Sequence, residues 1–121
     1  MSVTATITAL DLVRERRAAN LQKWGIQHYP DGTRNTAYAR ARRRAAQNAE
    51  DAAARNHKLT WATIFNEEAA EALCEVDADK LLAELGDIGA VVLDWMDDIL
   101  QRSRRRTAHR RKSVLAGKGG K

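Results

Sequence analysis

Cysteine and proline each occur only once in the 121 residues of this chain. A single cysteine, Cys74, excludes an intrachain disulfide, and on a predicted helix it is better explained as a small apolar side chain than as a nucleophile. The single proline, Pro30, stands in a Pro-Asp-Gly turn signal, which predicts a loop over residues 26–33. Because loops carry function more often than the elements they connect, this loop is a candidate for binding.

Long hydrophobic runs are missing as well. The longest, residues 88–93, is far too short to span a bilayer, and the start of the sequence lacks the basic and apolar regions of a signal peptide. No alternation of apolar and polar residues is long enough to predict a sheet. We therefore expect an all-α, cytoplasmic protein with no membrane partner. Its length is enough for one domain with one core but not for two.

Charge is distributed unevenly along the chain, whose formal net charge is +5. Residues 101–121 contain six Arg, three Lys and no acid, so they carry +9, whereas residues 1–100 carry twelve bases against sixteen acids, or −4. The basic character therefore belongs to the C-terminal segment. We divide the chain into a helical domain, residues 1–102, and a basic, flexible tail, residues 103–121.

The first half of the chain predicts two helices. The first opens at Thr8 as its N-cap and stops at Gly25, and the second runs from about Asn35 or Thr36 to about Asn56. Four arginines go around the second helix rather than along one face: Arg40, Arg42, Arg43 and Arg44. This arrangement favours a solvated surface over a dedicated phosphate clamp, although one of these arginines can still reach a substrate.

Residues 59–100 predict two further helices joined by a tight turn, and so short a connection makes helices antiparallel neighbours. Thr60 is the predicted N-cap of the third helix, and either Asp77 or Asp79 is that of the fourth. The stretch holds eleven Asp and Glu residues against a single base, Lys80. Carboxylates at this density must either face water or share a cation.

Four of these acids, which we call the acidic quartet, border the apolar faces of the two helices: Glu68, Glu71, Glu84 and Asp87. At about 100° per residue, Glu68 falls on the stripe that contains Trp61, and Glu71 lies at its edge. On the fourth helix Glu84 falls inside the flank of an apolar stripe, and Asp87 lies one turn on. That stripe consists of Leu81, Leu85, Ile88, Val92, Trp95 and Ile99. We assign Trp61 and Trp95 to the core.

An ionised carboxylate in an apolar seam loses much of its hydration, so it persists there only if it is protonated, paired or bound to a metal. Oxygen ligands suit Mg²⁺ or Mn²⁺, and Mg²⁺ takes further ligands from substrate phosphates, which makes a nucleotide or another polyphosphate the natural partner. The alternative is an acidic hairpin with a solvated face. The recurrence of the i, i+3 spacing on both helices favours the metal.

The spacing also resembles a known family. Glu67-Glu68-Ala69-Ala70-Glu71, twelve further residues, and Glu84-Leu85-Gly86-Asp87 resemble the EExxE…ExxD signature of the MazG-like all-α nucleoside triphosphate pyrophosphohydrolases. The resemblance covers residues 59–100 well and residues 24–32 more loosely. It implies a four-helix MazG-like bundle with its metal site on the antiparallel hairpin, completed by formation of a homodimer or homotetramer.

The same resemblance implies a reaction, in which a nucleoside triphosphate or deoxynucleoside triphosphate is cleaved between its α and β phosphates to the monophosphate and pyrophosphate. The acidic quartet would hold Mg²⁺, for which Mn²⁺ can substitute. Glu67 would help to hold a second metal or orient the attacking water, and it is our candidate to accept the proton of that water. Metal ions neutralise phosphate oxygens and lower the pKa of bound water, so no side-chain nucleophile is required.

Substrate contacts are predicted from the N-terminal half. Trp24 can stack on a base, and Lys23, His28 and Arg34 can meet the phosphates of a nucleotide over the metal site. The MazG-like family draws base and phosphate contacts from this part of its fold. The competing interpretations are a core position for Trp24, at the end of an amphipathic helix, and an ordinary loop position for His28.

The alternative function is a non-catalytic helical module that binds a nucleotide or nucleic acid through its basic helix and tail. Weak contact of the tail with nucleic acid would depend on salt and not on base sequence. Plain solubility is the simpler interpretation of the tail, since no recognised DNA-binding motif accompanies its arginines.

Overall fold

The computed structural model describes the backbone of residues 6–119 and the side chains of residues 6–114. Over this part of the chain there are four α-helices and no strand, which confirms the all-α prediction. The helices are α1 (Ala9–Trp24), α2 (Ala37–Arg55), α3 (Trp61–Cys74) and α4 (Ala78–Gly119). The first five residues of the predicted domain and the last two of the predicted tail, residues 1–5 and 120–121, lie outside the described residues.

Side-chain caps set the starts of the helices. At α1 the hydroxyl of Thr8 accepts a hydrogen bond from the backbone N–H of Asp11, whose carboxylate accepts one from the N–H of Thr8, a complete capping box. Thr60 caps α3 as predicted, and Thr36, near the predicted start of the second helix, caps α2. At α4 the carboxylate of Asp77 accepts from the N–H three residues later, at 3.0 Å, so the first of the two predicted candidates is the cap.

The connection between α1 and α2 is a loop over residues 25–36, which includes the predicted loop over residues 26–33. Gly25 ends α1 with φ at 70° and Gly32 follows with φ at 72°, a left-handed region in which side chains with a Cβ are strained. The backbone N–H of Arg34 donates to the carbonyl of Leu73 at 3.1 Å. This bond fixes the end of the loop to the C-terminal turn of α3.

Residues 26–92 form one compact unit, in which α2 packs on α3. The short connection over residues 56–60 makes the two helices antiparallel. Ala39, Ala46 and Ala53 recur at seven-residue spacing on one face of α2, and Ala46 is buried. Ala39 lines a small cavity together with side chains of α3. Since the separation of packed helices depends on the side chains between them, this alanine face brings α2 close to α3.

The remaining residues, 1–25 and 93–121, form a second compact unit, described over residues 6–25 and 93–119. Here the carboxylate of Asp97 accepts a hydrogen bond from the backbone N–H of Ala9 at 2.9 Å. Ala9 is fully buried, and the guanidinium of Arg104 donates to the carbonyl of Ile7. The first turn of α1, whose N–H groups have no partner within the helix, is thereby held on α4.

Helix α4 extends well beyond Arg102, where the predicted hairpin ends, and continues to Gly119. The reason lies in its composition. Residues 102–116 contain six Arg, one Lys, two Ala and one Leu, which are good helix formers, and no proline. Asp98 also pairs with the guanidinium groups of Arg102, at 3.9 Å, and Arg105, at 4.0 Å. Flexibility of the tail stays a prediction.

Few apolar side chains are buried within the described residues. They are Ala9, Ala46, Ala72, Cys74 and Leu81. Burial of Cys74 fits the interpretation of this residue as a small apolar side chain. Trp61 and Trp95 are only half-buried, and Leu85, on the predicted apolar stripe, remains 51% exposed. No helix in the described part of the chain is long and apolar enough to cross a membrane.

Candidate metal centre

Three glutamates of α3 form the middle of the site, and we call them the carboxylate cluster: Glu67, Glu68 and Glu71. Each offers one carboxylate oxygen, and these oxygens lie within 4.8 Å of one another. The helix causes this proximity, because residues three and four apart lie on neighbouring turns of the same face. All three side chains are partly buried, so water screens their mutual repulsion incompletely.

Two acids of α4 complete the predicted quartet. Burial raises the pKa of Glu84, and the charge of Glu71 raises it further. Burial likewise raises the pKa of Glu68, to which Glu71 and then Asp87 add. Glu71 thus acts on Glu84, while Glu68, three residues earlier in α3, is acted on by Asp87, three residues later in α4. This order is that of an antiparallel pair. The four acids lie close enough to influence one another, and their binding of a metal stays a prediction.

One carboxylate oxygen of Glu84, Oε2, is buried and accepts no hydrogen bond within the described residues. The Oε2 atom of Glu50, on α2, is in the same state. A buried acceptor without a partner costs about 1–3 kcal/mol, and more if it is charged. Protonation or a bound cation would remove this cost. Both side chains interact electrostatically with the carboxylate cluster, since the charge of Glu50 raises the pKa of Glu67 and the charge of Glu71 raises that of Glu84.

Glu67 has the most strongly perturbed carboxyl group of the site. Burial raises its pKa from 4.5 to about 7, with further contributions from the charges of Glu50, Glu71 and Glu68. The desolvated carboxylate is thus held among like charges, and both effects favour the protonated form. A group with a pKa near 7 can accept or donate a proton close to neutral pH, which is the property required of a general base.

Two residues of α2 belong to the site although the sequence pattern does not indicate them. Arg43 is one of the four arginines for which a solvated surface is predicted, yet its Nη2 lies 3.7 Å from Oε1 of Glu71. Glu50 stands outside every motif of the sequence. At about 100° per residue, both lie within about 60° of the buried Ala46. The alanine face of α2 is the sequence feature that could have identified them, since it marks the side of the helix that packs on α3.

The predicted substrate-binding residues lie at the end of α1 and in the loop before α2, and their contact with a nucleotide stays a prediction. Lys23 and Trp24 end α1, with the ammonium of Lys23 4.9 Å from the centre of the Trp24 ring. Trp24 is 60% exposed, which does not fit the core interpretation. His28 is exposed in the loop after α1, and Arg34 is exposed at the end of that loop, where its backbone joins α3.

A small apolar cavity of about 60 Å³ lies between α2 and α3, lined by Tyr38, Ala39, Arg42, Ala70 and Leu73. It is much smaller than the pockets of about 300–1,000 Å³ that usually hold small molecules. The Tyr38 ring at its rim carries the Arg42 guanidinium 6.0 Å from its centre. We assign no ligand to this cavity.

The donor set fits a hard divalent cation. The predicted ligands are carboxylate oxygens of α3 and α4, of which Oε2 of Glu84 is buried without a described partner. The only described ion pair of the carboxylate cluster is that of Glu71 with Arg43. Oxygen ligands of this type suit Mg²⁺ and Mn²⁺ rather than soft metals. Comparison of the chain with protein-family models, with curated proteins and with solved structures finds no match. The motif therefore remains a resemblance to the MazG-like family.

Proposed function

We propose that this protein is a cytoplasmic, Mg²⁺-dependent nucleoside triphosphate pyrophosphohydrolase with a MazG-like bundle. It would cleave a nucleoside or deoxynucleoside triphosphate between the α and β phosphates. The observation that carries the proposal is the carboxylate cluster, with its oxygens within 4.8 Å of one another beside the buried, unpartnered oxygen of Glu84. The EExxE…ExxD spacing of these same residues supplies the type of reaction.

The acidic quartet holds the cation in this proposal: Glu68, Glu71, Glu84 and Asp87. Bound there, Mg²⁺ or Mn²⁺ would supply neutralisation of phosphate charge and a lowered pKa for the attacking water. Glu67 accepts the proton of that water, a role supported by its pKa of about 7. The proton leaves the water as its oxygen attacks the α phosphorus, and pyrophosphate departs with the electrons of the broken P–O bond.

Substrate recognition is assigned to exposed groups of the N-terminal half. Trp24 stacks on the base, since its ring is largely exposed and already carries the cation of Lys23. His28 and Arg34 meet the phosphates, supported by their exposure in the loop before α2. Arg43 is a further phosphate partner, because its guanidinium is half exposed and already lies beside Glu71.

A homodimer or homotetramer is part of the proposal. Apolar side chains on α3 and α4 that a core would normally cover stay exposed, including Leu73 at 54%, Leu82 at 71% and Leu85 at 51%. Burial of one such side chain contributes about 1.5–3 kcal/mol, so burial of several at a subunit interface would offset the cost of association. Light scattering coupled to size exclusion gives the mass directly, and a monomer at micromolar concentration would contradict this element.

One assay tests the reaction. The wild type is incubated with Mg²⁺ and a broad panel of ribo- and deoxynucleoside triphosphates, and the products are resolved. We expect a monophosphate and pyrophosphate in equal amounts from at least one nucleotide. Glu68→Gln should lose nearly all of this turnover, whereas Asp94→Asn, on the exposed side of α4, should keep it. Absence of turnover across the panel would overturn the enzymatic proposal.

The second candidate, a non-catalytic module for nucleotides or nucleic acid, is favoured by one observation. Arg102, Arg105, Arg106 and His109 line an open groove of about 490 Å³ on α4. Their i, i+3, i+4 and i+7 spacing puts them on one helical face. Nucleotide or DNA binding that survives Glu68→Gln, together with no turnover by the wild type, would favour this candidate.

A further inference from the structure

Glu50 is placed on the face of α2 that packs against α3. Counted from the buried Ala46, Glu50 lies at about 40° and Arg43 at about 60° around the helix, on the same side. Arg43 contacts Glu71, which shows that this face of α2 is turned towards the carboxylate cluster. Glu50 follows Arg43 by two turns, and in an antiparallel pair it therefore lies towards the N-terminal end of α3, on the side of Glu67.

Partial burial distinguishes Glu50 from Asp51, the one other acid of α2. Its Oε2 atom is buried and accepts no hydrogen bond within the described residues, and none of the ion pairs described for the chain includes it. The neighbouring Asp51 lies about 100° further around the helix and is exposed. Glu50 caps no helix, because it lies in the interior of α2. Within the described residues, this buried oxygen therefore has no partner.

The charge of Glu50 reaches the carboxylate cluster. It contributes to the raised pKa of Glu67, after burial, and also to that of Glu68. A further carboxylate next to this already crowded group of acids adds repulsion, which α2 could avoid with almost any other residue at this position. A shared divalent cation would convert this repulsion into coordination and would give the buried oxygen a partner.

We propose that Glu50 is a fifth carboxylate ligand of the divalent cation at this site, contributed by α2 next to the cluster on α3 and the acids on α4. The inference rests on the cation site of the proposed function and extends it. Neither half of the EExxE…ExxD pattern includes Glu50. A ligand on α2 would also link cation binding to the packing of α2 on α3.

Binding of Mn²⁺ alone tests this role without turnover. Mn²⁺ is titrated with protein, and the paramagnetic resonance signal of the free ion is followed for the wild type, Glu50→Gln and the control Asp51→Asn. We expect saturable binding by the wild type and by Asp51→Asn, and an affinity at least about tenfold weaker for Glu50→Gln. Equal affinity of Glu50→Gln and the wild type would overturn the role of Glu50 and leave the cation site standing. Absence of saturable binding by the wild type would overturn both.

Thermal melting supplies a second readout, which separates a ligand from a structural residue. Without metal, Glu50→Gln should melt at or above the wild-type temperature, because it removes a negative charge from a crowded site. With saturating Mn²⁺ it should gain less than the wild type does. A metal-free Glu50→Gln that melts well below the wild type would overturn the proposal, because Glu50 would then contribute a stabilising bond to the folded chain.

Discussion

Arg43 and Glu71 form an ion pair that joins α2 to α3, with 3.7 Å between Nη2 and Oε1. The pair is partly exposed, and exposed pairs contribute only about 0–1 kcal/mol to stability. Its main consequence is therefore electrostatic. Arg43 offsets part of the negative charge of the carboxylate cluster, and its charge lowers the pKa of Glu84 against the stronger effects of burial and of neighbouring acids.

Replacement of Arg43 by Gln should change the response to metal more than the stability of the metal-free protein. We expect a small fall in melting temperature without metal and a larger gain on addition of Mg²⁺, because a competing cation has been removed. Differential scanning calorimetry with and without Mg²⁺ measures both. Arg44→Gln, on the far side of α2, is the matched control and should behave like the wild type. An unchanged gain for Arg43→Gln would show that the guanidinium does not act on the cation site.

Metal should stabilise the wild type by mass action, by about 2.7 kcal/mol at a concentration about one hundred times the dissociation constant. Glu71→Gln and Asp87→Asn should show a much smaller rise in melting temperature on addition of Mg²⁺ or Mn²⁺. Asp94→Asn controls for the loss of one negative charge elsewhere on α4. Equal rises in all four proteins would assign the quartet to an ordinary acidic surface.

The stability of the metal-free protein should fall as the pH rises. The pKa of Glu67 is 4.5 in the unfolded chain and about 7 in the folded one, mainly because of burial. Between these values the folded chain binds a proton that the unfolded chain lacks, so the free energy of unfolding decreases through this range and levels off above it. The raised pKa values of Glu68 and Glu84 act in the same direction.

Melting temperatures measured in a chelating buffer from about pH 4.5 to about pH 8 test this dependence. Glu67→Gln should flatten the decrease, since Gln does not titrate, while Glu15→Gln on the exposed surface of α1 should leave it unchanged. A decrease in Glu67→Gln that is as steep as in the wild type, or steeper, would contradict the raised pKa.

The helix pattern and the caps were predictable from local chemistry. Thr8, Thr36 and Thr60 each begin a helix because a hydroxyl satisfies an N–H that the first turn leaves without a partner. Gly25 ends a helix because it can adopt positive φ. The end of α4 was less predictable. A charged segment that looks like a tail is also made of good helix formers, and local propensity does not distinguish the two.

The sequence predicted only those site residues whose positions depend on one helix or on two helices joined by a short turn. Glu67, Glu68 and Glu71 follow from helical spacing, and Glu84 and Asp87 follow from an antiparallel hairpin. The positions of two further residues, Arg43 and Glu50, depend on which face of α2 meets α3. Small alanines determine that face, and large apolar residues do not mark it. Leu85 belongs to the predicted apolar stripe, yet it is half exposed because nothing in the single described chain covers it.

The arginines in the C-terminal part of α4 should affect nucleic-acid binding and not hydrolysis. A triple change of Arg106, Arg110 and Arg111 to Gln removes three positive charges and leaves Asp98 with its two partners. We expect weaker DNA binding with a shallower dependence on salt, because a protein that neutralises fewer phosphates releases fewer counterions. Fluorescence anisotropy at several salt concentrations measures this, with triphosphate turnover as the control. Unaltered binding and salt slope would assign the arginines to solubility.

Trp24 provides the last prediction, in which stability and substrate affinity separate. Trp24 is 60% exposed, and its described cation–π partner, Lys23, is its neighbour in the chain. Trp24→Leu should therefore change the free energy of unfolding by less than about 1 kcal/mol. A core tryptophan would instead cost about 3–5 kcal/mol on truncation. If the ring stacks on the base, KM for the nucleotide should rise several-fold in Trp24→Leu, be largely restored in Trp24→Phe, and leave kcat nearly unchanged. Urea unfolding and steady-state kinetics make the two measurements, and a large loss of stability with unchanged KM would return Trp24 to a structural role.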